Sequence, residues 1–248
     1  FFALVYASLE KRASRVYAVS HPGATDKLVW SDLVRFDLGY WWVVGLCVAF
    51  YATIFPFRTF ANLYFIEAKG LSPEAAGTLK SILPLLSMIG MPLFGLLADK
   101  IGKRALLMAA GSALLVPPFF LLVGTSVSPT ILMGMLGLAF ALVPAVLWPA
   151  VTYLVPEARL GSAYALMTFC QQVGWAGMSW GLGLLKDGAH ASAAHPAGWT
   201  PVMVALGALA SVGFVFSFLL WKSEQGPKGH GLEAVTPAKA EAKPVEPA

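Results

Sequence analysis

Long apolar stretches separated by short polar breaks dominate the chain. Six such stretches follow one another, at residues 40–66, 77–98, 105–124, 130–154, 161–185 and 201–221. A helix needs about 20 mostly apolar residues to cross the roughly 30 Å hydrocarbon layer of a membrane. A barrel strand would instead alternate in polarity over about ten residues. Because these runs are continuous, the pattern predicts an all-α membrane protein with a bundle of six transmembrane helices.

The composition excludes several other classes of protein. Hydrophobic residues make up 58% of the 248 and charged residues only 12%, whereas a soluble domain usually carries about a quarter charged residues. The two cysteines, Cys47 and Cys170, lie in separate apolar stretches. They provide neither a disulfide framework nor a metal site. We expect no cofactor, no metal and no catalytic set, so the chain is not expected to be an enzyme.

The positive charges are distributed unevenly about the predicted spans. Of the 17 Lys and Arg residues, thirteen fall on one side when the spans alternate, and only Lys69, Lys80 and Lys186 fall on the other. The remaining one, Arg58, lies inside the first span. Because positive loops stay in the cytoplasm, both termini are predicted to be cytoplasmic. The net charge of +4 therefore indicates topology, and no nucleic-acid partner is expected.

The segments outside the six spans divide the chain further. Residues 1–19 are predicted to be the end of a preceding transmembrane helix, because a short apolar run stops at a charged cluster. Residues 20–38 form a polar cytoplasmic loop, 39–221 the bundle, and 222–248 a disordered cytoplasmic tail. The sequence is accordingly expected to be a fragment of a longer protein.

The strongest local motif, GLLADKIGKR at 95–104, joins the second and third spans. Gly95 allows close helix approach, Gly102 permits a tight turn, and Asp99 can pair with a cation or a helix N-terminus. With Lys103 and Arg104, this sequence resembles the loop signature of the major facilitator superfamily, G-x-L-a-D-r-x-G-r-[RK]. The simpler alternative is a positively charged loop with no further role.

The resemblance implies a fold of two six-helix halves, and the chain resembles the C-terminal one. Its fifth span lacks the Gly-Pro pair that marks the first half, and a helix remnant and a connector precede the bundle. The expected partners are therefore the lipid bilayer, a missing N-terminal six-helix half and a small-molecule substrate.

A narrower resemblance is to one group within the superfamily, the major facilitator superfamily domain-containing protein 1 group. Its members export dipeptides from animal lysosomes, and it has bacterial relatives. It rests on the segments at 55–57, 94–103, 147–149, 155–157 and 160–164. The resemblance implies a multi-pass protein of the bacterial inner membrane, or of a lysosomal or plasma membrane in a eukaryote.

A candidate substrate cavity can be placed on the first span. Tyr51, Phe55, Arg58 and Asn62 are spaced four, three and four residues apart, so they share one helix face. A charge inside a span usually faces protein or a watery cavity, and the Arg58 guanidinium suits a substrate carboxylate. The alternative is that Arg58 snorkels to the membrane interface or pairs with Glu67.

Two further spans offer polar side chains to the same cavity. Gln171 and Gln172 fall near the middle of the fifth span, on a face with Thr168 and Trp175. They would bond a peptide-like ligand, or alternatively hydrogen-bond between helices. Trp148 lies between two prolines of the fourth span. It would form part of the cavity wall or, alternatively, have only an aromatic packing role.

The resemblance implies a secondary transporter that works by alternating access, moving a small organic solute such as a dipeptide. It also implies that the motif loop braces the cytoplasmic gate, with Asp99 beside the start of the fifth span. Asp99→Asn would then favour the inward-open state. The alternative function is a membrane interaction or scaffold protein that retains the transporter fold. Since no carboxylate lies mid-span, any proton coupling would reside in the other half, and facilitated diffusion stays open.

Overall fold

The structure, a computed structural model, describes residues 36–227 and 229–235. Within these ranges it is helical and has no strand, only an isolated bridge between Ser192 and His195. We label the six long helices α1 (Leu38–Glu67), α2 (Pro73–Ile101), α3 (Arg104–Gly124), α4 (Pro129–Leu154), α5 (Leu160–Gly188) and α6 (Thr200–Glu224). The predicted all-α class and the six helices are confirmed. The predicted helix remnant at 1–19 and most of the loop at 20–38 lie outside the described residues.

Among the described residues, five helices are long and apolar enough to cross a membrane: α1, α2, α3, α4 and α6, the last taken together with the short 3-10 helix Pro196–Trp199. Helix α5 has 29 residues, which is ample length for a span. Its polar residues, among them Gln171, Gln172 and Lys186, keep its hydropathy below that of the others. Length and packing, more than composition, identify α5 as a member of the bundle.

The helix starts follow from local chemistry. The side chain of Asp37 accepts a hydrogen bond of 2.9 Å from the Gly39 amide and caps α1. Ser72 caps α2, and Pro73 occupies the first turn, where no amide donor is needed. Prolines inside α1 to α4 do not end these helices, which continue past each of them.

The most extensive helix contacts form one series, which a smaller contact between α1 and α2 closes. Helix α1 packs against α5 and α6, α6 against α3, α3 against α4, and α4 against α2. Helices α1 and α4 are the most buried of the apolar spans and α2 the least. We call the end of the bundle that holds residues 99–104 the loop end, and the other the far end. Tyr40 of α1 donates to the Ala163 carbonyl of α5 at the loop end, and Tyr64 to the Leu122 carbonyl at the far end.

Small residues mark some of the close helix contacts. A Cβ placed on Gly174 of α5 would lie 2.5 Å from Val48 of α1, so only glycine lets these helices approach as they do. The GxxxG pair of Gly177 and Gly181 behaves differently, since no described atom lies within 4 Å of a Cβ placed there. That pair faces away from the bundle, as do the large apolar side chains of Phe169, Val173 and Trp180.

The C-terminal tail departs from the prediction of disorder from residue 222. Helix α6 continues to Glu224, and residues 229–235 fold back onto the start of α3. Leu232 is fully buried there. Because the tail is mostly polar, the sequence pattern did not predict that Leu232 would be buried. Residues 236–248 lie outside the described part.

Candidate functional site

The predicted face of α1 carries a stack of aromatic rings. The rings of Tyr51 and Phe55 are stacked with centroids 5.4 Å apart, and Phe55 stacks in turn on Trp175 of α5 at 4.8 Å. The four-residue spacing on one helix puts the first two rings in contact. Trp175 comes from the helix that packs beside α1, so the two helices together build one aromatic wall.

Arg58 lies against aromatic rings from two helices. Its guanidinium carbon is 5.7 Å from the ring centre of Phe55 and 5.8 Å from that of Phe140 on α4. Among the ion pairs of the described residues there is none between Arg58 and Glu67; the Glu67 carboxylate accepts a 3.1 Å hydrogen bond from the Trp199 indole. The ring faces favour the cation while leaving its five donors to bind another group.

Trp148 is held from two sides. Its indole donates to the Tyr51 hydroxyl at 2.9 Å, and its backbone carbonyl accepts from the Tyr164 hydroxyl at 2.9 Å. The rings of Trp148 and Tyr164 are also stacked at 6.0 Å. Hydrogen bonds among these three aromatic residues, one of them to the Trp148 backbone, thus join α1, α4 and α5.

A cavity of about 450 Å³ opens over the aromatic wall. It is lined by Phe55, Arg58, Thr59, Lys80 and Trp175. Arg58 stands about 8 Å beyond the middle of α1, toward the far end, at a rise of about 1.5 Å per residue. The lining holds two cations and no acid, so an anionic group entering the cavity meets uncompensated positive charge.

The remaining predicted residues do not line this cavity. Gln171 is buried and accepts a 3.6 Å contact from the Cys47 thiol, an interhelical bond of the kind named as its alternative. Gln172 is exposed on another side of α5, and Asn62 is half-buried but outside the lining. The polar side chains of the cavity are therefore those of Arg58, Lys80 and Thr59, and not the predicted side-chain amides of the glutamines and the asparagine.

Phe140 and Tyr164 were not predicted. Phe140 lies in an unbroken apolar run of α4, where nothing in the sequence distinguishes a ring under a guanidinium from a core ring. Tyr164 offered a weak signal, since a hydroxyl in an apolar span must find a partner.

The motif loop is a two-residue turn. Gly102 and Lys103 have φ values of 66° and 51°, a left-handed conformation that glycine adopts freely. The following Arg104 is buried, and its side chain pairs with Asp99 at 2.9 Å. Its guanidinium carbon lies 4.8 Å from the ring centre of Tyr153. Arg104, one of the predicted gate-motif residues, thus fastens the turn to the bundle.

Asp99 does not occupy the place expected for it. Its carboxylate bonds to Arg104, and α2 and α5 make little contact within the described residues. The loop of this bundle therefore does not brace the start of its own α5. Gly95 has no described atom within 4 Å of an added Cβ, so it too faces away from these helices.

Comparison with known proteins identifies related chains. Over 185 residues, the chain is 34% identical to the lysosomal dipeptide transporter MFSD1 of Homo sapiens, 32% to that of Gallus gallus and 33% to that of Danio rerio. The match covers 75% of this chain but only 40% of the human, 42% of the chicken and 40% of the zebrafish protein. The chain thus spans about two fifths of the length of these relatives.

A family model covers most of the same region. The model that describes the Major Facilitator Superfamily matches residues 1–179, which include the motif loop, α1 to α4 and most of α5. With six packed helices and the motif turn in place, the chain belongs to the Major Facilitator Superfamily.

Proposed function

We propose that the chain is the C-terminal half of a secondary transporter that moves a small organic solute by alternating access. Dipeptides are the proposed substrates, because the relatives that match this chain bear the name of dipeptide transporters. No covalent step is involved: binding energy and the rocking of two helix bundles provide the mechanism.

The cavity over Phe55 and Trp175 is the single observation that supports this function best. Arg58 and Lys80 present positive charge beside apolar ring faces. A dipeptide has the matching groups, a terminal carboxylate for the guanidinium fork and side chains that pack on rings. The cations favour the anionic end of the peptide, while the wall accepts many side chains.

The second bundle is proposed to cover the apolar surface that this chain leaves open. Helix α2 exposes Leu85, Met88, Ile89, Leu93 and Leu96, and α5 exposes the side of Gly177 and Gly181 described above. Lipid and the partner half would share these faces. The cavity would then lie between the halves, where transporters of this architecture bind substrate.

The loop end is proposed to be cytoplasmic, with the far end and the cavity mouth on the opposite side. The distribution of Lys and Arg supports this orientation. The bacterial inner membrane is the proposed location, with a lysosomal or plasma membrane as the counterpart in a eukaryote.

Uptake of dipeptides by vesicles containing the full-length protein tests the proposal. Arg58→Ala should abolish most of the uptake, Arg58→Lys should retain part of it, and Lys80→Ala should raise the KM. Lys222→Ala is a matched control, because it removes an exposed cation at the loop end. Its uptake should equal that of the unaltered protein.

Two outcomes would contradict the proposal. Normal uptake by a folded Arg58→Ala protein would remove the cavity from the mechanism. If the unaltered protein folds and reconstitutes but takes up none of a broad dipeptide set, the scaffold function becomes the better account.

A further inference from the structure

Residues 229–235 form a segment, which we call the C-terminal strap, that is paired with the start of α3. The amides of Lys103 and Arg104 donate to the carbonyls of Glu233 and Leu232, at 3.2 and 2.8 Å. The Leu106 amide donates to the Glu233 carboxylate at 3.1 Å. These three hydrogen bonds fix the register of the strap against the N-cap and first turn of α3.

The strap supplies a helix cap that α3 lacks. The first amides of any helix have no partner within it, and Lys103, at the N-cap of α3, makes no side-chain capping bond. The strap's carbonyls and the Glu233 carboxylate take that place. A carboxylate at a helix N-terminus is also favoured by the helix dipole.

A buried carboxylate anchors the strap to the end of α6. The Glu224 side chain is 1% exposed and accepts from the amides of His230 and Leu232 at 2.9 and 3.1 Å. His230 Nδ1 lies 2.9 Å from the same carboxylate, and His230 Nε2 lies 3.2 Å from that of Asp37, the cap of α1. The strap therefore joins the starts of α1 and α3 to the end of α6.

Gly102 provides the seat for the strap. A Cβ at this position would lie 2.5 Å from the Ala234 carbonyl oxygen. Arg104 Nη1 donates to that oxygen at 3.4 Å. Gly102 and Arg104 of the motif loop thus both contact Ala234 of the strap.

We propose that the C-terminal strap is a releasable lock on the motif loop. Docked, it caps α3 and holds residues 102–106 fixed. Released, it leaves the amides of Lys103, Arg104 and Leu106 without these partners and the turn free to move, which the loop end requires in order to open. Release is feasible because the anchor is mostly polar: the contacts of His230 and the strap amides with Glu224 and Asp37 are ones that water can replace. The effect on transport rests on the proposed function, whereas docking itself does not.

A removable cross-link tests the lock in the full-length protein. Lys103 and Ala234 are both exposed, so a Lys103→Cys/Ala234→Cys pair can be joined by a short bis-thiosulfonate reagent. We expect the cross-link to form, uptake to fall at least tenfold, and a reductant to restore it. Ala234→Cys alone, treated in the same way, should keep its rate. Unchanged uptake in the cross-linked protein, or failure to cross-link, would overturn the lock.

Amide hydrogen exchange tests docking without a transport assay. A protein that ends after Gly226 should exchange the amides of Lys103, Arg104 and Leu106 at least tenfold faster. A protein that ends after Val235 keeps the strap and should match the unaltered one. If the first truncation fails to fold, Glu224→Gln provides the same comparison at full length. Equal exchange in all of them would refute docking even if transport is normal, whereas absent transport with strap-dependent exchange would refute only the proposed function.

Discussion

The indole of Trp148 donates to the hydroxyl of Tyr51 across 2.9 Å, and this bond fixes α4 against α1 beside the aromatic wall. Tyr51→Phe removes the acceptor and leaves the indole without it. We expect a loss of about 1 kcal/mol in unfolding free energy and a several-fold rise in the KM for uptake. A double-mutant cycle with Trp148→Phe measures the coupling. Additive effects of the two changes would show that the bond contributes nothing.

Phe140 lies under the Arg58 guanidinium and is predicted to hold it in place. Phe140→Leu keeps the apolar volume roughly constant but removes one ring face, worth about 0.5–2 kcal/mol to the cation. The expected result is a higher KM with an unchanged maximal rate. Phe119→Leu is a suitable control, since this buried ring packs on Phe57 away from the cavity. Equal KM values for the two variants would contradict the role of Phe140.

The ion pair of the motif loop is asymmetric, because Arg104 is 3% exposed at its side chain and Asp99 is 73% exposed. Arg104→Ala empties a buried position beside Tyr153 and should cost about 2–4 kcal/mol. Asp99→Asn removes an exposed partner but leaves the contacts of the guanidinium with Tyr153 and the Ala234 carbonyl, so it should cost less than Arg104→Ala. Thermal or denaturant unfolding of the purified proteins measures both. Equal losses would mean that the ion pair, and not the burial of Arg104, holds the turn.

Gly102→Ala should displace the strap. The substitution places a methyl group against the Ala234 carbonyl and forces alanine into a φ of 66°, at a cost of about 1–3 kcal/mol. Protease cleavage after Lys103 should become faster, because the turn is no longer covered. Gly95→Ala is the matched control, since no described atom lies near its added methyl group. Unchanged cleavage in Gly102→Ala would show that the strap tolerates a side chain there.

Gly174→Leu should separate α5 from α1. The Cβ alone would meet Val48 at 2.5 Å, so a larger side chain requires the helices to move apart, at a cost of about 1–3 kcal/mol. Gly177→Leu faces no described atom and should be neutral in this chain alone. In the full-length protein it should be destabilising if the second bundle covers that face. A neutral Gly174→Leu would contradict the packing of α5 on α1.

The sequence predicts the helices well because a membrane span requires a long apolar run, which is visible in the sequence itself. The predicted spans begin and end within a few residues of the helices, and helical spacing alone brings Tyr51, Phe55 and Arg58 onto one face. Spacing fixes neighbours on the same helix but not across helices. It therefore could not show that Gln171 bonds Cys47 while Gln172 turns outward.

The contacts that the sequence did not reveal join residues far apart in the chain. Arg104 lies 130 residues from Ala234, and a polar tail gives no periodic signal of where it docks. Burial of Arg104 follows from that docking and from Tyr153, not from its neighbours in the motif. Such partners are decided by tertiary packing, which a single sequence does not display.

Helix α2 is the least buried of the apolar spans, and this exposure affects how the polypeptide behaves when it is purified by itself. Its exposed apolar side chains would pack against another apolar surface. In a micelle, a second copy of the same molecule offers such a surface. Solitary preparations should consequently run as dimers or larger species on a sizing column, and adding the proposed N-terminal bundle should convert them into a single one-to-one complex.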